Sequence, residues 1–546
     1  MSLRIDFPPD RAAYYRERGW WTDELIGDWL ARAVRATPDQ AAVVQGPRTV
    51  TFAELARLVR AFARGMDRLG VAKGDVVAVQ LPNILEFVVA YLGLASRGAV
   101  MQTIHMPYRA AEIETLLGHS GAVALICVRQ QKDYAAAALA VELKARLPRL
   151  AHVVAVGEGP RGAVAFDDLI ADADGNDADP RPVAVKATDP FVLLYTSGTT
   201  AAPKGVPHPS CTYLANFRLA AEELGVTAAD VVLCAAPFTH LYGLSALSVA
   251  LSGGATSILL PAFTPRELAD LLRRTRPSVI YAGPAHMAGC LNAGLLAAEE
   301  FSKVRFVILS GAAVSPDLAT AIEAVLGDGK VLQLWGMTEL QAGAFTRLGD
   351  SREVRTHTAG RPAPGNELRI VREDGSPAPA DEVGELEMRG CSLFAGYLGN
   401  PEATAAAFTA DGWFRTGDLA SLDAGGNLRI AGRTKEIINR GGVKFNPLDI
   451  EYLLISHPAI EMCAIVAMAD PVLGERACCF VTLHGGRTFR FDEMQAWLAQ
   501  HSVSKVKWPE RLEIIDAMPM TPTRKVIKGA LVKELERRRR DEQQQQ

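Results

Sequence analysis

The sequence lacks any segment long and apolar enough to predict a membrane span. No apolar run reaches the roughly 18 residues that a transmembrane helix needs. The opening, MSLRIDFPPDRAAYYRERGWW, is polar and has no apolar core followed by a small-residue cleavage site, so we expect no secretory signal. These absences lead us to expect a cytoplasmic protein with no integral membrane segment.

Cysteine clusters and an excess of one charge are also absent. The 8 cysteines are scattered, and no CxxC pair or His/Cys group has zinc-binding spacing. We therefore expect reduced thiols rather than a disulfide framework. The 58 lysines and arginines nearly balance 62 aspartates and glutamates, for a net charge of −4. This balance argues against a nucleic-acid partner, whereas small anionic ligands stay possible.

The composition is that of a globular protein, and apolar segments alternate with helical segments in the first part of the chain. Apolar residues make up 49% and charged residues 22% of the sequence. Predicted helices cover 86–95 and 265–274, and predicted strands cover 75–79, 122–128, 152–156, 191–195, 231–235, 256–260, 279–281 and 304–309. The alternation predicts an α/β fold with doubly wound parallel sheets. Short segments after about Gly349 predict a β-rich subdomain, and an α+β block follows from about Thr434.

One glycine pattern could suggest a dinucleotide site. Gly157, Gly159 and Gly162 spell GxGxxG directly after an apolar segment. However, Pro160 and Arg161 occupy the turn, and the residues that follow give no long helix to supply an N-terminal anion site. We therefore predict a surface turn here.

A stronger signal is the segment LLYTSGTTAAPKGV at 193–206, in which an apolar strand runs into a loop of hydroxyls and small residues. The loop carries four hydroxyl side chains, on Thr196, Ser197, Thr199 and Thr200. Together with exposed backbone amides these hydroxyls can form a concave nest for phosphate oxygens, and Lys204 adds a positive charge. A plain polar turn would not explain so many hydroxyls beside a lysine. The spacing from Gly198 also differs from that of a Walker A loop.

Five further segments accompany this loop, and with it they resemble the adenylate-forming superfamily of acyl-CoA synthetases, aryl-acid ligases, luciferases and peptide-synthetase adenylation domains. The segments are LSGAAVSP (309–316), QLWGMTE (333–339), GWFRTGDLA (412–420), GRTKEIINRGGVKFNPLDIE (432–451) and PMTPTRKVIK (519–528). Each alone is weak, but six in the family's order across essentially the whole chain make a chance match negligible.

The resemblance implies a two-step ligase reaction. ATP and a carboxylic acid give an acyl-adenylate and pyrophosphate, and a thioester then forms, with ATP, Mg²⁺ and coenzyme A as cofactors. It also implies a large N-terminal AMP-binding domain over 1–434 and a small mobile C-terminal domain over 435–546. Lys435 matches the family's hinge between them, and Gly442 matches a glycine that lets the pantetheine arm of coenzyme A pass close to the backbone.

The same resemblance assigns the nucleotide site. The loop from Thr196 to Lys204 would hold the β- and γ-phosphates, Glu339 would ligate Mg²⁺, and Thr338 would reach the α-phosphate. The residues matched to the adenosine are Trp335 stacked on adenine, Gly336 beside it, the backbone of Gly311, Ala312 and Ala313 on the other side, and Asp418 with Arg433 at the ribose. Lys525 would neutralise charge in the adenylation transition state.

Two positions depart from the family pattern. Ala201 stands where the phosphate loop usually has glycine, and alanine would cost about 1 kcal/mol if that position needs a positive φ. Arg524 replaces the usual glycine before Lys525, which itself is retained. Neither change predicts an inactive enzyme.

The layout of the chain looks like the branch with aryl-acid ligases and cyclohexanecarboxylate- or medium-chain-acid CoA ligases. His240 matches a wall of the acyl pocket and a catalytic-site residue, and Leu241 falls where relatives carry a polar anchor for a hydroxyl or amino group. Gly336 stands where acetyl-specific relatives close the pocket with tryptophan. Further expected lining residues are Tyr242, Gly283 and Met337. The pattern predicts an apolar cyclic, aromatic or medium-chain acid rather than acetate, an amino acid or a 2-hydroxybenzoate.

Coenzyme A is the expected acceptor, because no carrier domain or serine-centred attachment motif follows in the sequence. A stand-alone ligase that loads a separate carrier protein stays an alternative, and a homodimer is possible. A non-catalytic nucleotide-binding scaffold is the alternative of a different class. The joint retention of Lys204, Glu339, Asp418 and Lys525 argues against that scaffold.

Overall fold

The structure is a computed structural model that describes residues 7–131, 134–171, 181–196, 203–312, 314–521 and 525–545. Strands and helices alternate through the first part of the described chain, as predicted. The strands there are β1 (Ala41–Gln45), β2 (Arg48–Thr51), β3 (Val76–Gln80), β4 (Val100–Thr103), β5 (Ala124–Val128), β6 (His152–Val156), β7 (Val164–Ala165), β8 (Pro190–Thr196), β9 (Lys204–Pro209), β10 (Val231–Cys234), β11 (Thr256–Leu259), β12 (Val279–Ala282), β13 (Phe306–Leu309), β14 (Lys330–Met337), β15 (Gln341–Phe345) and β16 (Arg361–Pro362).

The helices of this part surround and separate its sheets. They are α1 (Pro9–Glu17), α2 (Ile26–Ala36), α3 (Phe52–Arg68), α4 (Leu85–Ser96), α5 (Ala110–Ser120), α6 (Ala136–Lys144), α7 (Phe166–Ile170), α8 (Ser210–Glu223), α9 (Leu241–Gly253), α10 (Pro265–Thr275), α11 (Pro284–Asn292), α12 (Pro316–Leu326) and α13 (Arg352–His357).

Two large sheets enclose a shared core. The nine-stranded sheet has the order β16-β15-β14-β13-β12-β10-β11-β1-β2, and the seven-stranded sheet has the order β7-β6-β5-β3-β4-β8-β9. Helices α3, α4, α8 and α9 lie in the core between them, and α10–α12 and α5–α6 cover the outer faces. Helix α4 is apolar on nearly all sides, because both sheets bury it. These layers confirm the predicted α/β class.

The sheets are parallel in their centres and antiparallel at some edges. Strands β2, β9, β15 and β16 run antiparallel to their neighbours. Short turns join β1 to β2 and β14 to β15, and a short turn can only join antiparallel strands. The predicted parallel arrangement therefore holds in the centres of the sheets, and the antiparallel strands lie at their edges.

The β-rich region and the C-terminal region form separate sheets. The first contains β17 (Asn366–Val371), β18 (Gly384–Gly390), β19 (Phe414–Leu422) and β20 (Leu428–Arg433), with α14 (Pro401–Ala407) beside it. The second contains β21 (Ile438–Arg440), β22 (Val443–Phe445), β23 (Ile460–Asp470), β24 (Gly474–Leu483) and β25 (Arg511–Ile514). Its helices α15 (Leu448–Ile455) and α16 (Phe491–Gln500) cover one face, and α17 (Lys528–Gln545) covers the other.

The glycine pattern at 157–162 forms the turn between β6 and β7. Gly157 and Gly162 have φ angles of 86° and 97°. The next helix, α7, has only 5 residues, too few for an N-terminal anion site. The prediction of a surface turn is confirmed.

The environment of the cysteines and the character of the helices relate to the expected thiols and to the expected lack of a membrane segment. All 8 cysteines are buried and form no disulfide in the structure, and burial raises the pKa of Cys127 to about 12. No helix in the described ranges combines the length and the apolar character that a bilayer crossing requires.

Candidate active site

The predicted phosphate loop connects the antiparallel strands β8 and β9. Thr196 ends β8 and is paired in register with Lys204, which begins β9, so the sheet closes the base of the loop. The Lys204 ammonium lies 4.6 Å from the centre of the Tyr397 ring. The loop residues Ser197, Gly198, Thr199, Thr200 and Ala201 lie outside the described residues, and so do Ala313 and Arg524. Their roles stay predictions.

Glu339 and Thr338 lie in the turn between β14 and β15. The Glu339 side chain is buried, and its Oε1 accepts a hydrogen bond of 3.0 Å from the Tyr397 hydroxyl. Burial raises the pKa of Glu339, while hydrogen bonds and the charge of Lys204 act against that rise. Among the described residues no group of three or more metal-ligating side chains occurs. One carboxylate beside a phosphate site nevertheless fits Mg²⁺, which proteins often hold through one or two carboxylates and the substrate phosphates.

A buried histidine that the sequence analysis missed fixes this turn. His208 in β9 lies 2.7 Å through Nε2 from the backbone oxygen of Thr338, so Nε2 carries the proton and donates it. Burial lowers the pKa of His208 to about 4, which keeps the ring neutral. No local pattern indicates this role, because Thr338 is distant in sequence.

Asp418 is held between an indole and a guanidinium. The Trp335 Nε1 donates to Asp418 Oδ2 at 2.9 Å, and Arg433 Nε lies 3.0 Å from Asp418 Oδ1. The carboxylate is buried, so these two donors offset the cost of removing its charge from water. The Trp335 ring is 9% exposed and packs against Gly343, where a Cβ would lie 2.3 Å from the ring. Its stacking on adenine stays a prediction.

The other predicted adenine contact follows β13 at the carboxyl edge of the nine-stranded sheet. Gly311 has a φ of 89°, in the region that favours glycine, and Ala312 follows it. Ligands of open α/β sheets bind outside this edge. The location fits the predicted role of both residues.

Lys525 reaches this site from the C-terminal region. It lies in a turn closed by two hydrogen bonds with Thr521, and it is exposed to solvent. Partial removal of water by the neighbouring protein atoms lowers the pKa of Lys525, and the positive charge of Arg433 lowers it further. The negative charge of Asp418 opposes this shift. The charged groups of Asp418 in β19, Arg433 at the end of β20 and Lys525 in the C-terminal region therefore interact electrostatically.

His240 lies at the start of α9 and faces a small cavity that Thr338 also lines. Its Nδ1 accepts the Tyr242 backbone N–H at 3.2 Å, so the proton of the neutral ring is on Nε2. Burial lowers the pKa of His240 to about 3, and His105 and Lys525 contribute. The His105 ring stacks beside it at 6.2 Å, a neighbour that the sequence analysis missed. His240 is therefore a neutral hydrogen-bond donor.

The other predicted acyl-pocket residues are not gathered at this cavity. Leu241 and Tyr242 belong to the core between the two sheets, where the Tyr242 hydroxyl donates to the Ile308 oxygen at 2.6 Å. Gly283 precedes α11, and its N–H donates to His286 Nδ1. Met337 packs against the core of the β17–β20 sheet.

Gly336 has a backbone reason to be glycine. A Cβ there would lie 2.0 Å from the Gln341 backbone oxygen, at the irregular pairing of β14 with β15. The hairpin therefore favours glycine whatever the size of the acyl pocket. Neither the acyl nor the nucleotide role of Gly336 is tested by this geometry.

The predicted hinge and coenzyme A residues lie in connecting turns. Lys435 is in a short 3-10 turn, Thr434–Glu436, between β20 and β21. Next to it, Lys528 lies 2.9 Å from Glu436 and 2.8 Å from Glu451. Gly442 is exposed in the turn between β21 and β22, with a φ of 90°.

Comparisons with known proteins match two family models to this chain. The AMP-binding enzyme model matches residues 30–398, and the model of the AMP-binding enzyme C-terminal domain matches residues 449–525. The chain is 31% identical over 543 residues to a medium-chain fatty-acid–CoA ligase of Escherichia coli (strain K12), covering 98% of this chain and 95% of the relative.

A second relative is named for salicylate, and a similar solved structure contains bound ATP. A salicyl-AMP ligase / salicyl-S-ArCP synthetase of Mycobacterium tuberculosis (strain ATCC 25618 / H37Rv) is 33% identical over 539 residues, covering 97% of this chain and 94% of the relative. The crystal structure of ATP-bound MatB from Rhodopseudomonas palustris has a TM-score of 0.83 at 26% identity, covering 94% of this chain and 99% of that one.

Proposed function

This chain belongs to the AMP-binding enzyme family, and from that premise we propose that it joins an apolar carboxylic acid to coenzyme A at the expense of ATP. The chain is an ATP-using ligase that activates an acid by adenylation. The apolar acid and the coenzyme A acceptor are the proposed parts.

The position of Lys525 carries the proposal. Attack of a carboxylate on the α-phosphate brings two anions together, so positive charge and preorganised donors must offset their repulsion. Lys525 interacts electrostatically with Asp418, Arg433 and His240. Its ammonium is therefore well located to stabilise negative charge between the ribose side and the acid.

The first step forms a bond between a carboxylate oxygen and the α-phosphorus. The bond from that phosphorus to the bridging oxygen breaks, and pyrophosphate leaves with the electron pair. His240 donates a hydrogen bond from Nε2, and Lys204 and Lys525 supply positive charge. Glu339 would hold Mg²⁺, which when bound would add positive charge at the phosphates.

In the second step the thiol of coenzyme A attacks the acyl carbonyl carbon. The thiol proton passes to solvent, the bond from the acyl carbon to the adenylate oxygen breaks, AMP leaves with the electrons of that bond, and a thioester remains. We propose that the domain over 435–546 rotates about Lys435 against the domain over 1–434 between the steps. The turn at Gly442, which has no side chain, would then approach the pantetheine arm.

The apolar acid is proposed from the family resemblance, in which Leu241 stands where relatives carry a polar anchor; in the structure Leu241 packs in the core between the two sheets. Burying an ammonium or hydroxyl group without a partner costs more than a missing methylene, so amino acids should be rejected most sharply. The fatty-acid–CoA ligase relative supports the same class and the same acceptor. The salicyl-S-ArCP synthetase relative instead favours a carrier-protein acceptor, which is the second candidate function.

A panel of acids tests the proposal. We would measure kcat/KM for pyrophosphate release with benzoate, cyclohexanecarboxylate, hexanoate, acetate, salicylate and phenylalanine. We expect one of the first three to be preferred. Salicylate or phenylalanine as the best substrate would refute the apolar pocket, and no pyrophosphate release with any acid would refute the activity.

The acceptor needs a separate assay. With the preferred acid, thioester formation would be compared between free coenzyme A and a purified aryl carrier protein. Faster transfer to coenzyme A supports the proposal. Transfer to the carrier alone would establish the second candidate.

A further inference from the structure

Tyr397 lies between two site residues of opposite charge and has no role in the predicted chemistry. We infer that Tyr397 is a positioning residue that holds Glu339 and keeps Lys204 from pairing with it, so that both charges stay available to magnesium-bound ATP. This inference rests on the proposed function.

The backbone around Tyr397 connects the two site elements. The Phe394 N–H donates to the Glu339 backbone oxygen at 2.8 Å, and the Leu398 N–H donates to the Gly205 backbone oxygen at 2.8 Å. Gly205 directly follows Lys204 at the start of β9. The segment from 394 to 398 is therefore fixed at one end to the Glu339 turn and at the other end to the base of the phosphate loop.

The Tyr397 side chain contacts both charged groups in different ways. Its ring packs edge-on against Phe394, with ring centres 4.9 Å apart, which fixes its orientation. The hydroxyl donates to Glu339 Oε1 at 3.0 Å, while the Lys204 ammonium lies 4.6 Å from the ring centre. An aromatic face attracts a cation without neutralising its charge, so Lys204 is retained as a full positive charge.

The ring also prevents a competing contact. Lys204 acts electrostatically on Glu339, yet the salt bridges between described residues do not include a direct pair of these two side chains. Without the ring, the ammonium could move onto the buried carboxylate. Such a pair would withdraw one charge from the phosphates and the other from the metal.

Two substitutions separate the hydroxyl from the ring. Tyr397→Phe removes only the hydrogen bond to Glu339, and Tyr397→Leu removes the ring as well. Tyr14→Leu is a matched control, since Tyr14 in α1 also carries a cation over its ring, with Arg18 at 4.6 Å from the ring centre. Thermal melting would check that each variant folds.

The main measurement is the calorimetric Kd of ATP, with EDTA and then with excess Mg²⁺. For Tyr397→Phe we expect unchanged metal-free binding and about a tenfold smaller gain in affinity on adding Mg²⁺, as for loss of a hydrogen bond to a charged group. For Tyr397→Leu we expect metal-free binding to weaken about threefold or more as well. Adenylation kinetics should show a raised KM for magnesium-bound ATP with a smaller change in kcat.

Other results would overturn the inference. If Tyr397→Phe gains as much ATP affinity on adding Mg²⁺ as the wild type does, the hydroxyl has no such role. If Tyr397→Leu binds metal-free ATP as tightly as the wild type does, the ring has no such role. Equal losses in Tyr14→Leu would show that the effect is general. A wild-type chain that releases no pyrophosphate would instead refute the proposed function, independently of Tyr397.

Discussion

Replacement of Lys525 by alanine should separate the two half-reactions. The charge of Lys525 is needed when negative charge builds up on the α-phosphate, and thioester formation from a finished adenylate does not build up that charge. The predicted loss is therefore confined to adenylation.

The size of the loss follows from the location of the ammonium. Lys525 is exposed near the protein surface, so an effective dielectric constant of about 20 is appropriate, and a unit charge about 4 Å away then contributes about 4 kcal/mol. Solvent screening reduces this value, and we expect adenylation to slow by about 10²- to 10³-fold.

The assay would compare pyrophosphate release without thiol and thioester formation from purified acyl-adenylate. Lys525→Arg should recover part of the first rate, and Lys533→Ala, which removes an exposed lysine of α17, should change neither. Equal losses in both half-reactions, or no loss in either, would refute the assigned role.

Three further predictions concern motion and stability. Lys435→Pro should let adenylate accumulate while thioester production fails, because proline fixes φ at the hinge; unchanged steady-state turnover would contradict a hinge there. Lys528→Met should lower the unfolding free energy of the C-terminal region in urea by about 3 kcal/mol, because it leaves the buried Glu451 carboxylate without its ion pair, whereas Lys528→Arg should recover most of it. If Lys528→Met lowers the unfolding free energy no more than the substitution of an exposed lysine does, this ion-pair prediction is refuted. Burial lowers the pKa of His105 to about 4, so the unfolded chain binds its proton first as pH falls, and this histidine should cost about 3 kcal/mol of stability between pH 6.5 and 4. His105→Gln should reduce the slope of the urea midpoint against pH over that range, while His208 and His240, whose pKa values are also lowered by burial, keep the remainder; an unchanged slope would contradict the assignment.

The sequence predicted the buried parallel strands best. Strand β6 begins and ends at the predicted residues, because a continuous apolar segment bounded by polar residues is a strong signal for a strand buried on both faces. Strand β9 was not predicted, since KGVPHP contains two prolines. The structure accommodates them because β9 is the edge strand of its sheet, where a missing N–H donor is tolerated.

The site was predictable only where a residue's role is tied to a recognisable segment. Glu339, Asp418 and Lys525 lie in such segments. Tyr397 and His208 act through residues distant in sequence, and neither has a local pattern that distinguishes it from packing. For Gly336, by contrast, a recognisable segment led to a predicted role in the acyl pocket. The close approach of the Gln341 backbone oxygen is by itself a sufficient reason for a glycine at this position.

The burial of every cysteine makes this chain a convenient subject for site-specific labelling. Thiol reagents react with accessible thiolates, and burial both shields these sulfurs and raises the pKa of groups such as Cys234 to about 12. A new cysteine on the surface of each proposed domain would therefore take up dye with little background from the native ones. Energy transfer between two such dyes could report changes in the distance between the labelled positions during turnover without any native cysteine being replaced.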